Sequence, residues 1–238
     1  MTTPTYQITC TFNQRIATDV HEIRFDKPKN LTFNPGQFLL FLVPSLQNQS
    51  DIEPRAMSIA SSPKEDELIF AAKLKAGGRI STWITDMLTI GTVVDIQGPF
   101  GIFGLNRKTS KDYFLIATST GVGPFRSQLL SVLPTDTNRR IDLVFGARSE
   151  EDLFWTDQFE ALARQHKNFF LHLALSNPSP SWKGHRGRVQ TLVPQIVRDF
   201  KNKSVYICGN PEMTKELKQL CLAEWNVPKE DVHMEGYI

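Results

Sequence analysis

In the run Glu53-Pro54-Arg55-Ala56-Met57-Ser58-Ile59-Ala60-Ser61-Ser62-Pro63, an arginine, a large side chain and a serine fall at i, i+2 and i+3 of a stretch that reads as a β-strand. Strand alternation sends Arg55 and Met57 to one face and Ser58 to the other. A fixed guanidinium can grip a diphosphate, and a hydroxyl can bond a ring nitrogen beside a flat apolar surface. Those are the needs of a flavin dinucleotide. Gly77-Gly78-Arg79-Ile80-Ser81-Thr82 offers a second phosphate cradle, because glycines admit close approach and the N–H groups of a helix start attract anions. Its plain alternative is a hairpin turn followed by a serine N-cap. Thr118-Ser119-Thr120-Gly121-Val122-Gly123-Pro124 offers a third, after a strand and with Pro124 suited to a first helical turn. Ser119 stands where a G-x-G-x-x-G fingerprint would have its first glycine, so an ordinary strand–helix loop stays open as the other reading.

Ile207-Cys208-Gly209-Asn210-Pro211-Glu212-Met213 ends a fourth candidate strand, and a thiol at that tip is expected above the crevice of an α/β sheet. Cys10 and Cys221 read as small apolar fillers. The chain closes on Met234-Glu235-Gly236-Tyr237-Ile238, where the aromatic reads as frayed or as a packing plug.

Two different rhythms must position these groups. Tyr6–Phe12, Val20–Phe25, Phe38–Val43, Arg55–Ile59, Leu68–Leu74 and Val93–Ile96 are short β-branched or aromatic runs separated by turn residues. They predict an N-terminal antiparallel β-barrel, with one short helix at about Ile80–Leu88. From about residue 109, strands at Tyr113–Ala117, Ile141–Phe145, Phe169–Leu175 and Val205–Cys208 alternate with helices at Phe125–Val132, Thr156–Gln165, Val189–Val197 and Glu212–Glu224. Alternation of that kind predicts a doubly wound α/β parallel sheet. The expected domains are therefore 1–108 and 109–238.

Bulk properties narrow the class further. A chain of 238 residues has the length of two ordinary domains. A net charge of +2 without a basic patch gives no reason to expect nucleic acid. No apolar run is long enough to predict a membrane span, and the first residues lack the pattern of a signal peptide. Three scattered cysteines are too few for a four-thiolate iron–sulfur cluster, predict no disulfide framework and fit a cytoplasmic protein. The five histidines lack metal-ligand spacing, so no metal site is expected.

In order, Pro35-Gly36-Gln37-Phe38, Arg55-x-Met57-Ser58-x-x-Ser61, Gly77-Gly78-x-x-Ser81, Gly98-Pro99-Phe100-Gly101, Thr120-Gly121-Val122-Gly123-Pro124-Phe125-Arg126-Ser127 and Cys208-Gly209-Asn210-Pro211-x-Met213 resemble the signature set of the ferredoxin–NADP reductase family. The resemblance runs nearly end to end. It implies an FAD-binding barrel, an NAD(P)-binding domain and hydride passing from one cofactor to the other. By position it implies that Arg55 pairs the FAD diphosphate and Ser58 lies near flavin N5. Gly78, Arg79, Ile80, Ser81 and Thr82 would hold the diphosphate, and Thr120, Gly121, Val122, Gly123 and Pro124 would receive the pyrophosphate of the nicotinamide nucleotide. Cys208 and Gly209 would border the nicotinamide, while Tyr237 resembles the terminal aromatic that shields the flavin. Met57 replaces the usual tyrosine, exchanging a ring stack for a sulfur contact of similar worth. NADP-using relatives often carry arginine where Asn177 stands, but His185-Arg186-Gly187-Arg188-Val189 resembles a phosphate-binding element of bacterial members. Arg188, assisted by Arg148, therefore tips the expectation toward NADPH.

The implied activity is that of an FAD-dependent NAD(P)H reductase serving a separate electron carrier, namely ferredoxin, flavodoxin or an oxygenase component. A flavin reductase or diaphorase using small free acceptors is an alternative. A non-catalytic electron-transfer or interaction subunit is a third, to which only Ser119 lends support. Scattered cations such as Arg15, Arg107, Lys108 and Lys111 are candidates to face an acidic carrier.

Overall fold

A computed structural model describes residues 3–237. By packing, the chain divides into a first unit, up to Leu105 together with Gly123–Ser131, and a second unit of Asn106–Val122 and the residues from Val132 onward.

The first unit is a six-stranded antiparallel sheet of β1 (Thr5–Ala17), β2 (Val20–Asp26), β3 (Phe38–Pro44), β4 (Ile52–Ser58), β5 (Glu67–Lys73) and β6 (Val93–Phe100). Its order is β4-β3-β6-β1-β2-β5, so β4 and β5 share no strand pairing along the seam between them, although just past β4 the Ala60 N–H donates to Ile69 O at 2.8 Å. Alternation is clear on β3, where Leu39, Phe41 and Val43 are fully buried between half-buried neighbours. Phe41 packs edge-on against Phe70 at 5.0 Å and lies 6.2 Å from Trp83. The helix expected over Ile80–Leu88 is present over Arg79–Met87, but only its first turn is α-helical. A single turn, α1 (Arg79–Thr82), passes into a π-helical turn over Trp83–Met87 that closes with Leu88 N–H donating to Trp83 O. The wider turn buries Trp83 and Ile84 side by side under the sheet.

The second unit is a parallel sheet of β7 (Asp112–Thr118), β8 (Ile141–Ala147), β9 (Phe169–Leu175), β10 (His185–Arg186), β11 (Lys203–Gly209) and β12 (Val232–Gly236), in the order β10-β9-β8-β7-β11-β12. The helices α2 (Val122–Val132), α3 (Thr156–Gln165), α4 (Val189–Ile196) and α5 (Pro211–Ala223) alternate with these strands. β8 and β11 are almost wholly buried along their length, the mark of strands covered on both faces. One core joins Phe114, Ile116, Val193, Ile207 and Leu217, and Phe200 stacks on Trp225 at 4.9 Å. Ahead of Tyr237, the aromatic expected to fray or plug, Val232–Gly236 forms β12. It pairs in parallel with β11, Cys208 beside Glu235 and Gly209 beside Gly236. Alternation is too short there to announce a strand; an open edge on β11 supplies the partner.

α2 follows β7, yet Gly123–Ser131 packs with the first unit. Arg126 Nη1 donates to Ala60 O at 2.9 Å and to Glu65 Oε2 at 3.0 Å, while Nη2 donates to Glu65 Oε1 at 2.9 Å. Ser127 Oγ donates to Ser61 O at 2.7 Å, and Gln128 Nε2 to Phe103 O at 2.6 Å.

Candidate functional site

The β4–β5 seam gathers the first set of candidates. Arg55 and Met57 share a face of β4, opposite Phe41 and Leu39 of β3, and Ser58 faces the other way opposite Phe38. Met57 is largely buried and joins the sheet's apolar core, so only its edge is open to a ring. After β5 the chain turns at Gly77 and Gly78 into α1, bringing Arg79 back to the start of β4. Arg79 pairs with Asp51 and, at 3.3 Å through Nε, with Glu53; Arg55 also pairs with Glu53. Glu53 thus bridges the two guanidinium groups, and its bond to Arg55, with Arg79 nearby, holds its carboxyl below the usual range. Gly78, Arg79, Ile80 and Thr82 are half-exposed, but Ser81 is turned inward, its Oγ accepting from Lys75 N–H at 2.7 Å. With Asp51 and Glu53 displaced from them, the two guanidinium groups and the helix start could take an anionic dinucleotide. Asp51 and Glu53 were missed by the sequence reading. The i, i+2 spacing of Glu53 and Arg55 was a signal for one of them; Asp51 is joined only by the tertiary fold.

The second set lies at the carboxyl ends of β7 and β11, where the strand order of the second unit reverses, the place where α/β sheets take ligands. A three-residue turn of 3₁₀ helix, Ser119–Gly121, leads into α2. It lies so close to β11 that a Cβ on Gly121 would fall 2.3 Å from Cys208 O. Gly209, at φ +140°, is equally confined, since its Cβ would fall 2.4 Å from Thr118 Oγ1. The structure therefore brings Thr120, Gly121, Cys208 and Gly209 together. Thr120, Gly121, Val122, Gly123 and Pro124 are buried, leaving Thr118 and Ser119 as the half-open residues of this turn. Thr118, the first residue of the expected cradle, accepts through Oγ1 from Asn210 N–H at 3.4 Å.

Cys208 is fully buried, against the expectation of a thiol standing above the crevice, because Gly121 and β12 close over it. Burial pushes the thiol far up, a hydrogen bond from Tyr237 opposing it, so the group is neutral. Tyr237 is not frayed: its N–H donates to Gly209 O at 3.1 Å. Cys208 and Tyr237 are thus neighbours, whereas Ser58 belongs to the other unit.

A third group sits on the far side of the second sheet. Ser176 N–H donates to Ala147 O at 3.1 Å and Asn177 N–H to Arg148 O at 2.7 Å, continuing the β8–β9 ladder past the strand ends. Gly187 N–H bonds Leu175 O at 2.8 Å, which sets Arg188 beside them at the start of α4. Arg148 and Arg188 are both exposed.

The oxidoreductase FAD-binding domain family matches residues 7–104, and the oxidoreductase NAD-binding domain family matches residues 115–219. Ferredoxin–NADP reductase B of Sorangium cellulosum is 32% identical over 226 residues, covering 92% of this chain and 91% of that protein. This chain belongs to the ferredoxin–NADP reductase family. As a member of that family it is an FAD-dependent NAD(P)H oxidoreductase. The reductase component of phenol 2-monooxygenase from a Pseudomonas strain is 30% identical over 219 residues, which cover 90% of this chain but 60% of that protein. In fold, a cytochrome P450 reductase from Amycolatopsis superposes with a TM-score of 0.87 over 99% of this chain and 71% of its own, at 24% identity. Among the described residues no helix is long and apolar enough to cross a membrane.

Proposed function

We propose that this reductase holds FAD along the β4–β5 seam, oxidises NADPH in preference to NADH, and passes electrons to a separate carrier protein. The observation that carries the cofactor assignment is the pair of guanidinium groups, Arg55 and Arg79, joined through Glu53 beside β4, a strand that does not pair with β5. Bound FAD supplies acceptance of a hydride and release of electrons one at a time. Around it, Arg55, Arg79 and the half-open backbone of Gly78, Ile80 and Thr82 hold the diphosphate. Ser58 bonds the ring edge, and Met57 lends a narrow apolar contact. Residues 1–108 form the FAD domain and 109–238 the nucleotide domain. In the latter, Thr118–Pro124 receives the pyrophosphate. Cys208, Gly209 and Tyr237 shape the nicotinamide end, with Cys208 acting through packing because its thiol is covered.

A preference for NADPH is supported by Arg148 and Arg188, exposed cations at the ends of neighbouring strands, where bidentate contact with a 2′-phosphate is favourable. The carrier is a ferredoxin or an oxygenase component, as the names of the Sorangium and Pseudomonas relatives suggest, or else a flavodoxin. Three free, buried cysteines suit a cytoplasmic location. Anaerobic reduction of the purified protein by NADPH and by NADH, followed by candidate carriers, tests this reading. Faster bleaching of the flavin by NADPH and reoxidation by a carrier are expected; bleaching by NADH alone would defeat the nucleotide assignment.

A further inference from the structure

Downstream of Asn177, the chain from β9 to β10 is held at both ends. Glu150, in the turn after β8, accepts from Ser179 Oγ at 2.5 Å and from Ser179 N–H at 3.0 Å through Oε1, and again from that N–H at 3.3 Å through Oε2. From the other side, Arg186 Nη2 donates to the carbonyl oxygens of Ser179 at 2.9 Å, Pro180 at 3.0 Å and Trp182 at 3.0 Å. Trp182 Nε1 donates to His185 O at 3.1 Å. A cleft of about 660 Å³ lies beside these bonds, lined by Glu150, Ser179, Trp182 and Lys183 among others. Glu150 stands two residues beyond Arg148, Ser179 two residues beyond Asn177, and Arg186 two residues before Arg188. All the clamped points therefore adjoin the residues at the corner where the 2′-phosphate is read.

We infer that Glu150 is a positioning residue for nucleotide recognition: by fixing Ser179 it preorders the β9–β10 loop so that Arg148, Asn177 and Arg188 face one anion together. This rests on the reading of that corner as the 2′-phosphate site. A loop that must be ordered on binding weakens affinity, and a loop already clamped does not. Glu150 touches no nucleotide itself. Its carboxylate is held in the charged form, chiefly by the Ser179 hydroxyl, so it acts through the loop it fixes and against the repulsion that its charge offers an anion.

The test uses the FAD-loaded protein and two readouts, calorimetric titration with adenosine 2′,5′-bisphosphate and steady-state kinetics with NADPH and NADH. Glu150→Ala should weaken the bisphosphate and raise KM for NADPH about tenfold, with kcat, flavin content and KM for NADH within about twofold of the parent. Glu150→Gln keeps an acceptor for Ser179 and should bind within about twofold of the parent. Ser179→Ala, which keeps the backbone donor, should fall between them. Parent-like binding by Glu150→Ala, while Arg188→Ala binds weakly, overturns the positioning role and leaves the site assignment standing. Equal losses with NADPH and NADH also overturn it, by showing a general structural effect. If Arg188→Ala binds the bisphosphate as the parent does, the corner is not the phosphate site and both conclusions fall.

Discussion

Ser119 adopts φ +50°, a left-handed conformation that costs a side-chain-bearing residue about 1–2 kcal/mol. It occupies the position where the nucleotide fingerprint has glycine, and the backbone there has the glycine shape regardless. Ser119→Gly should therefore stabilise the protein by up to about 1 kcal/mol and raise Tm by about 2–4 °C in a thermal scan. A lower melting temperature would mean that the serine hydroxyl contributes more than its backbone costs. Two residues on, no side chain fits at Gly121, since the Cys208 carbonyl lies within 2.3 Å of any Cβ. Cys208 itself acts from beneath. Cys208→Ala should slow flavin reduction in a stopped-flow experiment while FAD content stays the same. An unchanged rate would assign the thiol to the core alone. On the flavin side, Arg55→Ala removes a charge-assisted bond, and FAD affinity of the apoprotein should fall by about 2 kcal/mol, or roughly thirtyfold.

Among the elements, α2 and β8 carry buried charge. Arg126 on α2 is 7% exposed and bonded to Ala60 and Glu65, so truncation leaves the Ala60 carbonyl without this donor and Glu65 without its counter-charge. Arg126→Ala should cost about 3 kcal/mol in denaturant unfolding, at the lower end for buried pairs because Glu65 is partly solvated. On β8, Asp142 is fully buried, bonded by Arg140 at 2.8 Å through two nitrogens and by His172 Nε2 at 3.0 Å. Burial pushes its pKa up, yet the bonds from His172 and Arg140 outweigh this and hold it below the ordinary value. A carboxyl depressed in the folded state contributes stability that is present above its unfolded pKa, about 3.9, and is lost as pH falls through the folded one. Unfolding free energies measured from pH 7 down to pH 3 should show this acid limb in the parent and a flatter one in Asp142→Asn, which is less stable at pH 7. Parallel limbs would exclude Asp142 as their source.

For the molecule as a whole, FAD binding to the folded state alone should raise stability with ligand concentration, by about 2.7 kcal/mol when free FAD is a hundred times its Kd. Apoprotein that melts at the same temperature with and without FAD would contradict the seam assignment. The amino-acid order by itself determined the two rhythms. Alternating β3 and the buried runs of β7 and β11 differ in period and apolar length because one sheet is covered on one face and the other on both. It also displayed the arginine, glycine and cysteine motifs, since each is local. Only the tertiary structure decided what lies beside them. Pairing with the open edge of β11 turned Val232–Gly236 into a strand, and return of α1 to β4 joined Asp51 and Glu53 to Arg79. Close approach of the turn after β7 sealed Cys208 from solvent, and a contact beside a cleft tied Glu150 to Ser179. Such neighbours are set by long-range packing, which no short window of sequence encodes.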